Sequence, residues 1–107
     1  MNGPDPGVLD LGDGHRLIYH FWAPDRELNP LYADLPDVER FGASIEHRSP
    51  AGVQHVGGIT FDGPVQRQVS NGRAFWQVEQ WDPLTISPSI LCSCGDHGWI
   101  RDGRWVS

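Results

Sequence analysis

An all-β fold follows from three features of this 107-residue sequence. β-branched and aromatic residues fall in short runs, turn-forming residues separate those runs, and prolines leave no room for a long helix. The expected architecture is a single domain spanning 1–107: a small β-sandwich or curled antiparallel sheet with a C-terminal hairpin and little helix.

Each element has its own reason. Residues 1–14 are rich in Gly, Pro and Asp and read as a loose lead-in. Arg16 to Trp22 is a β-rich run bounded by Gly14 and Pro24. Pro24, Pro30 and Pro36 restrict any helix in the next stretch to a turn or two near Asp34–Arg40. Phe41–His47 and Val53–Phe61 are two further strands, joined by the turn chemistry of Ser49-Pro50-Ala51-Gly52. Val65–Val69 reads as a short strand before Asn71-Gly72, a hairpin signal. Ala74–Trp81 alternates with Trp76 and Val78 on one face, and Pro88 marks an edge or a kink in Thr85–Cys92. Asp102-Gly103 predicts a type I′ turn that makes Arg101 and Arg104 cross-strand neighbours. Ile100 then pairs with Trp105 on the core face, and Trp99 faces Val106 on the other.

Composition excludes several roles. The net charge is −6 and all eight basic residues are Arg. Such a chain gains nothing from counterion release on a phosphate backbone, so nucleic acid is not an expected partner. No apolar run approaches the ~18 residues of a membrane span, and the N-terminus lacks a signal peptide's basic start and apolar stretch. A cytoplasmic setting is expected, the host cytosol if the gene is phage-borne. Two cysteines one residue apart close almost no loop, so a disulfide staple is not expected.

The densest chemistry is Cys92-Ser93-Cys94-Gly95-Asp96-His97. Thiolate and imidazole are the ligands zinc prefers. On a strand, Cys92 and Cys94 point to one face, and a bend at Gly95 could return His97 to it. A closed zinc site needs four ligands, and His47 or His55 on the adjacent strands is the natural fourth. His15, His20 and Asp96 are less favoured by position. The bland alternative is two buried thiols and a turn histidine without metal. No HExxH or deaminase signature is present, so a structural role is favoured over a catalytic one.

Other constellations carry less. Cys94 and His97 sit poorly for a thiol–imidazole nucleophile pair. Gly57-Gly58 lacks the order of a phosphate-binding loop and reads as a place of close strand approach. Arg101 and Arg104 at the hairpin tip could grip a carboxylate, and solvation is the simpler reading. Trp99, off the core face, is either a protein-partner contact or an indole lid on the metal site.

The C-terminal run from Pro83 to Val106 resembles a domain-of-unknown-function family of small phage and actinobacterial proteins. Its members share Thr-x-Ser-Pro-Ser, a Cys/His cluster and a Gly-aromatic-Ile-x-Asp-Gly hairpin. Here these are Thr85, Ser87, Pro88 and Ser89, then Cys94, His97, Gly98, Trp99, Ile100, Asp102 and Gly103. The resemblance implies a phage or prophage protein with a metal centre. Some relatives lie near ubiquitin-like conjugation genes, which keeps a metallohydrolase among the readings. The chain lacks a second downstream Cys/His pair found in some longer relatives.

The function expected from sequence is therefore a binding or accessory module with a structural zinc at Cys92, Cys94, His97 and His47 or His55. Its target is a protein of unspecified identity, and its oligomeric state is left open. The alternatives are a zinc-dependent hydrolase of a peptide-like bond and a virion or assembly component.

Overall fold

A computed structural model describes residues 7–49, 51–70 and 75–107. Antiparallel strands dominate, as the sequence predicts. A four-stranded sheet has the order β1 (Val8–Gly12), β2 (His15–Trp22), β3 (Val38–Arg48), β4 (Gln54–Thr60). Two smaller sheets follow: β5 (Gln77–Trp81) with β6 (Leu84–Ser87), and β7 (Ile90–Leu91), β8 (His97–Arg101), β9 (Arg104–Val106).

Period-two alternation decides which side chains turn inward. Leu11, Leu17, Ala43, Ile45, Ile59 and Phe61 from the large sheet meet Leu84, Ile86, Ile90, Ile100 and Trp105 from the small ones. These two sets form one continuous core, with Leu9, Tyr19, Trp76 and Val78 packed against it. The C-terminal hairpin has the expected register: Arg101 faces Arg104, Ile100 faces Trp105 and Trp99 faces Val106. Asp102 and Gly103 take φ of 51° and 75°, the positive values that a type I′ turn requires.

Three segments differ from the sequence reading. Val8–Gly12, within the expected lead-in, forms β1 because Leu9 and Leu11 bury against the core while the backbone pairs with β2. Pro64–Val69 is a short helix, α1, not a strand. Pro64 starts it, where proline's fixed φ suits a helix and its missing N–H is not needed. Near Asp34–Arg40 the only helical piece is a 3₁₀ turn at Pro30–Tyr32, and β3 has begun by Val38. The Asn71-Gly72 turn lies outside the described residues.

Candidate functional site

The inward face of the large sheet changes character at one end. Along β2, β3 and β4 the apolar positions Leu17, Ile45 and Ile59 give way, in steps of two, to histidine. His47 faces His55 directly across the β3–β4 pair. The β2–β3 register pairs Leu17 with Ile45 and Arg16 with Glu46, so His15 comes next to His47. The three imidazoles form a row: His15 stacks on His47 with centroids 5.0 Å apart, and His47 lies 5.6 Å from His55. His15 is also stacked on Trp105 at 4.1 Å, which ties the row to the core.

The cysteines reach this row from the other layer. β7 runs into a tight turn in which the Cys92 N–H donates to the Asp96 carbonyl and the Gly95 N–H donates to the Cys92 carbonyl. Gly95 has φ +97°, a conformation that favours glycine. The turn places the Cys92 sulfur 3.0 Å from His55 Nδ1 and 3.4 Å from His47 Nε2. The Cys94 sulfur lies 3.9 Å from His47 Nε2. Donor atoms of His47, His55, Cys92 and Cys94 all lie within 4.8 Å of one another, close enough to hold one metal ion.

Asp96 stands behind the group. Its Oδ2 lies 2.5 Å from His15 Nε2 and 3.2 Å from His47 Nδ1. That nitrogen, turned away from the sulfurs, is also hydrogen-bonded to the Arg48 carbonyl at 3.3 Å. A carboxylate behind a ligating histidine fixes the ring and makes its other nitrogen a better donor. Burial pushes the Cys92 thiol up, but hydrogen bonds from the Cys94 backbone, His47 and the Cys94 thiol outweigh it and leave Cys92 below its ordinary value. Cys94 is raised: its hydrogen bond from the Asp96 backbone favours thiolate, while burial and the neighbouring Cys92 together oppose it more strongly.

His97 is not in that group. β7 and β8 pair Leu91 with His97 and Ile90 with Gly98. Ile90 and Gly98 are buried toward the core, so alternation turns Leu91, His97 and Trp99 to the outer face. The bend at Gly95 therefore does not bring His97 back to the cysteines. Its Nε2 lies 2.9 Å from the hydroxyl of Ser89, and its ring packs 5.2 Å from Trp99. Ser89 is held in turn, because the Trp76 indole N–H donates to its carbonyl. Trp99 thus supports His97 and does not cap the metal-ligand group. Arg101 and Arg104 are exposed at the hairpin tip.

Sequence reasoning missed the role of Ser89 and ranked His15 and Asp96 low. Ser89 was legible only as the last residue of Thr-x-Ser-Pro-Ser, with nothing in the spacing to couple it to His97. His15 shares the period-two face of Leu17, a signal of inward direction but not of partners. Asp96 was visible beside the cysteines, though its role as a brace for His15 and His47 depends on pairing across the sheets.

No curated protein and no solved structure shows a significant match to the chain. Residues 22–107, which include both clusters, match the family described as bacterial ubiquitination-like system serine protease (BubE). The chain belongs to that family.

Proposed function

We propose that this protein is a serine protease in which Ser89 is the nucleophile and His97 the general base. The substrate is the amide bond that a ubiquitination-like system makes or processes: a modifier's terminal carbonyl joined to an amine. The observation that carries the reading is the 2.9 Å approach of Ser89 Oγ to His97 Nε2, with neither group buried. Nucleophile and base within hydrogen-bond reach, with the base steadied by a third group, is the signature of activated-serine catalysis. The family description supports the reaction class.

With Nδ1 carrying the proton, the Ser89 O–H donates to Nε2. As Oγ bonds to the carbonyl carbon, His97 takes the hydroxyl proton and then delivers it to the departing amine, leaving an ester on Ser89. Water, deprotonated by the same imidazole, cleaves that ester, releases the carboxylate and restores the hydroxyl. Trp99 holds the ring in place throughout. The protein partner expected from sequence is, on this reading, the substrate.

The metal role that fits is structural, and zinc is the ion. Bonds of about 2.3 Å to sulfur and 2.0–2.1 Å to nitrogen set tetrahedral S···N separations of about 3.6 Å. The observed 3.0, 3.4 and 3.9 Å bracket that value. Four protein donors fill a tetrahedral site and leave no position for a reacting water. Zinc there would clamp β7 and the Cys92–Gly95 turn to β3 and β4, and so fix the strands that carry Ser89 and His97.

The test is cleavage of peptidyl-coumarin amides and of modifier conjugates. Ser89→Ala and His97→Ala are each expected to lower kcat by about 1,000-fold or more with zinc content and melting temperature unchanged. Full activity in Ser89→Ala would overturn the assignment.

A further inference from the structure

The large sheet ends in an open edge beside the proposed dyad. Among the described residues β4 is a sheet neighbour of β3 alone, apart from one parallel bridge between Phe61 and Trp76. In an antiparallel ladder, alternate residues bond to the partner and the rest turn their N–H and C=O outward. The register settles which is which. Ser49 N–H donates to Val53 O and Phe61 N–H to Phe41 O, so the β4 residues bonded to β3 are 55, 57 and 59. The outward ones are Gln54, Val56, Gly58 and Thr60. Thr60 is taken, because its carbonyl accepts from the Trp76 N–H. Among the described residues no backbone group pairs with Val56 or Gly58 on this side, and both are exposed.

Opposite this edge stands β7. The Cys92 N–H donates to the Asp96 carbonyl, so by the same alternation Ile90 also bonds to β8 and the backbone groups of Leu91 point away from it. Between the two strands lies a groove of about 220 Å³. Its banks include Val56, Gly58 and Leu91, its floor is apolar at Ile45, Ile59 and Trp76, and its far end is closed by the metal-ligand residues His47, His55 and Cys92. Neither Ser89 nor His97 lines it, but two lining residues lead to the dyad: Ile90 follows Ser89 in the chain, and the Trp76 indole N–H donates to the Ser89 carbonyl. An exposed strand edge is normally blunted by charge, proline or a covering loop. Here the open stretch is Val56-Gly57-Gly58, without charge. A Cβ added at Gly58 would meet nothing within 4 Å, so a bare backbone is not needed there for packing.

We propose that the acyl side of the substrate enters this groove as an extended peptide and adds a strand to β4. Its main chain pairs with Val56 and Gly58, and one apolar side chain fills the space over Ile45 and Ile59. Trp76 already occupies the first place along this edge, and the peptide continues that line. Strand addition of this kind draws affinity from backbone pairing and specificity from alternate side-chain pockets. The inference rests on the Ser89–His97 reading for its chemistry, and on the β4 edge alone for its binding.

The two parts are separable. The probe is acetyl-Ala-Leu-Ala-Gly amide, titrated by amide NMR into zinc-loaded Ser89→Ala protein, which binds without cleaving. Expected are shifts centred on Val56 and Gly58, abolished by N-methylation of the peptide backbone at the pairing positions and by adding Gly58→Leu, with the melting temperature of that double variant checked. Shifts confined to other surfaces, or equal binding of the N-methylated peptide, would overturn the proposal. In the parent, N-methylation is expected to lower kcat/KM on the matching coumarin amide by about 30-fold or more. Binding at β4 with no Ser89-dependent cleavage would sink the dyad and leave the groove standing. Ser89-dependent cleavage indifferent to N-methylation would do the reverse.

Discussion

Replacing Gly98 with alanine is expected to damage the fold far more than its single methyl group suggests. Gly98 lies in β8 between His97 and Trp99, with its inward side against the Trp105 indole. A Cβ there would sit 2.6 and 2.7 Å from two indole carbons and 2.7 Å from the Val106 carbonyl oxygen. The carbon contacts fall roughly 0.8–1.4 Å short of the 3.5–4.0 Å optimum for carbon pairs. The indole has little room to retreat, because its other side stacks on His15 at 4.1 Å and its surroundings are core. Overpacking of this kind costs about 1–3 kcal/mol, and a trapped ring puts Gly98→Ala near about 3 kcal/mol. For a domain of this size that is a fall of about 10–20 °C in melting temperature. The assay is thermal unfolding by circular dichroism at a fixed excess of zinc. Gly58→Ala is the control: its new Cβ meets nothing, so stability should stay within about 0.5 kcal/mol. A Gly98→Ala protein melting within about 3 °C of the parent would refute the close packing of β8 on Trp105.

Other expectations follow from the same geometry. Cys94→Ser should abolish stoichiometric zinc and lower the melting temperature by tens of degrees. Structural zinc contributes ~10–16 kcal/mol in small peptides, against about 5–15 kcal/mol for the stability of a whole domain. A shift of only a few degrees would show that the cluster does not clamp the fold. Asp96→Asn, which weakens the brace behind His47, should loosen zinc by about 10- to 100-fold in a chelator competition while keeping one zinc per chain at saturation; unchanged affinity would remove Asp96 from the account. Burial raises the Tyr19 phenol, with the nearby Arg40 cation opposing it in part. The unfolded chain therefore ionises Tyr19 first. Its contribution is intact below pH of about 10 and is lost as pH climbs through the raised folded value. Tyr19→Phe should flatten that alkaline decline in denaturant melts.

Local rules were enough to read some parts of this molecule and not others. The Asp102-Gly103 hairpin was legible to the residue, because a two-residue turn needing positive φ fixes the register of everything beside it. The strands Arg16–Trp22, Phe41–His47 and Val53–Phe61 were legible because alternation and turn residues agree. α1 was misread because Val65 and Val69 favour strands by propensity, whereas Pro64 starts a helix. β1 was missed because a strand of mixed burial in a Gly- and Asp-rich stretch has little signal until its partner is known. The metal-ligand group was half legible: Cys92 and Cys94 are neighbours in sequence, and His47 and His55 were each considered as a fourth ligand. His97 belonged to the cysteines by spacing and parted from them by strand face. The same alternation that drew Cys92 inward turned His97 outward, to Ser89. The pairing of Ser89 with His97 depends on the β7–β8 register across the Cys92–Asp96 turn, which no local pattern encodes. The family description names a bacterial system and a serine protease, whereas the metallohydrolase alternative had placed the chemistry at the metal.

The most direct test of the central claim is covalent labelling with a fluorophosphonate, which phosphonylates an activated serine hydroxyl with loss of fluoride. On zinc-loaded protein the account expects one label per chain, mapped by peptide mass spectrometry to Ser89 and lost in His97→Ala at an unchanged melting temperature. Failure of the parent to react, or a label on any other residue, would contradict it.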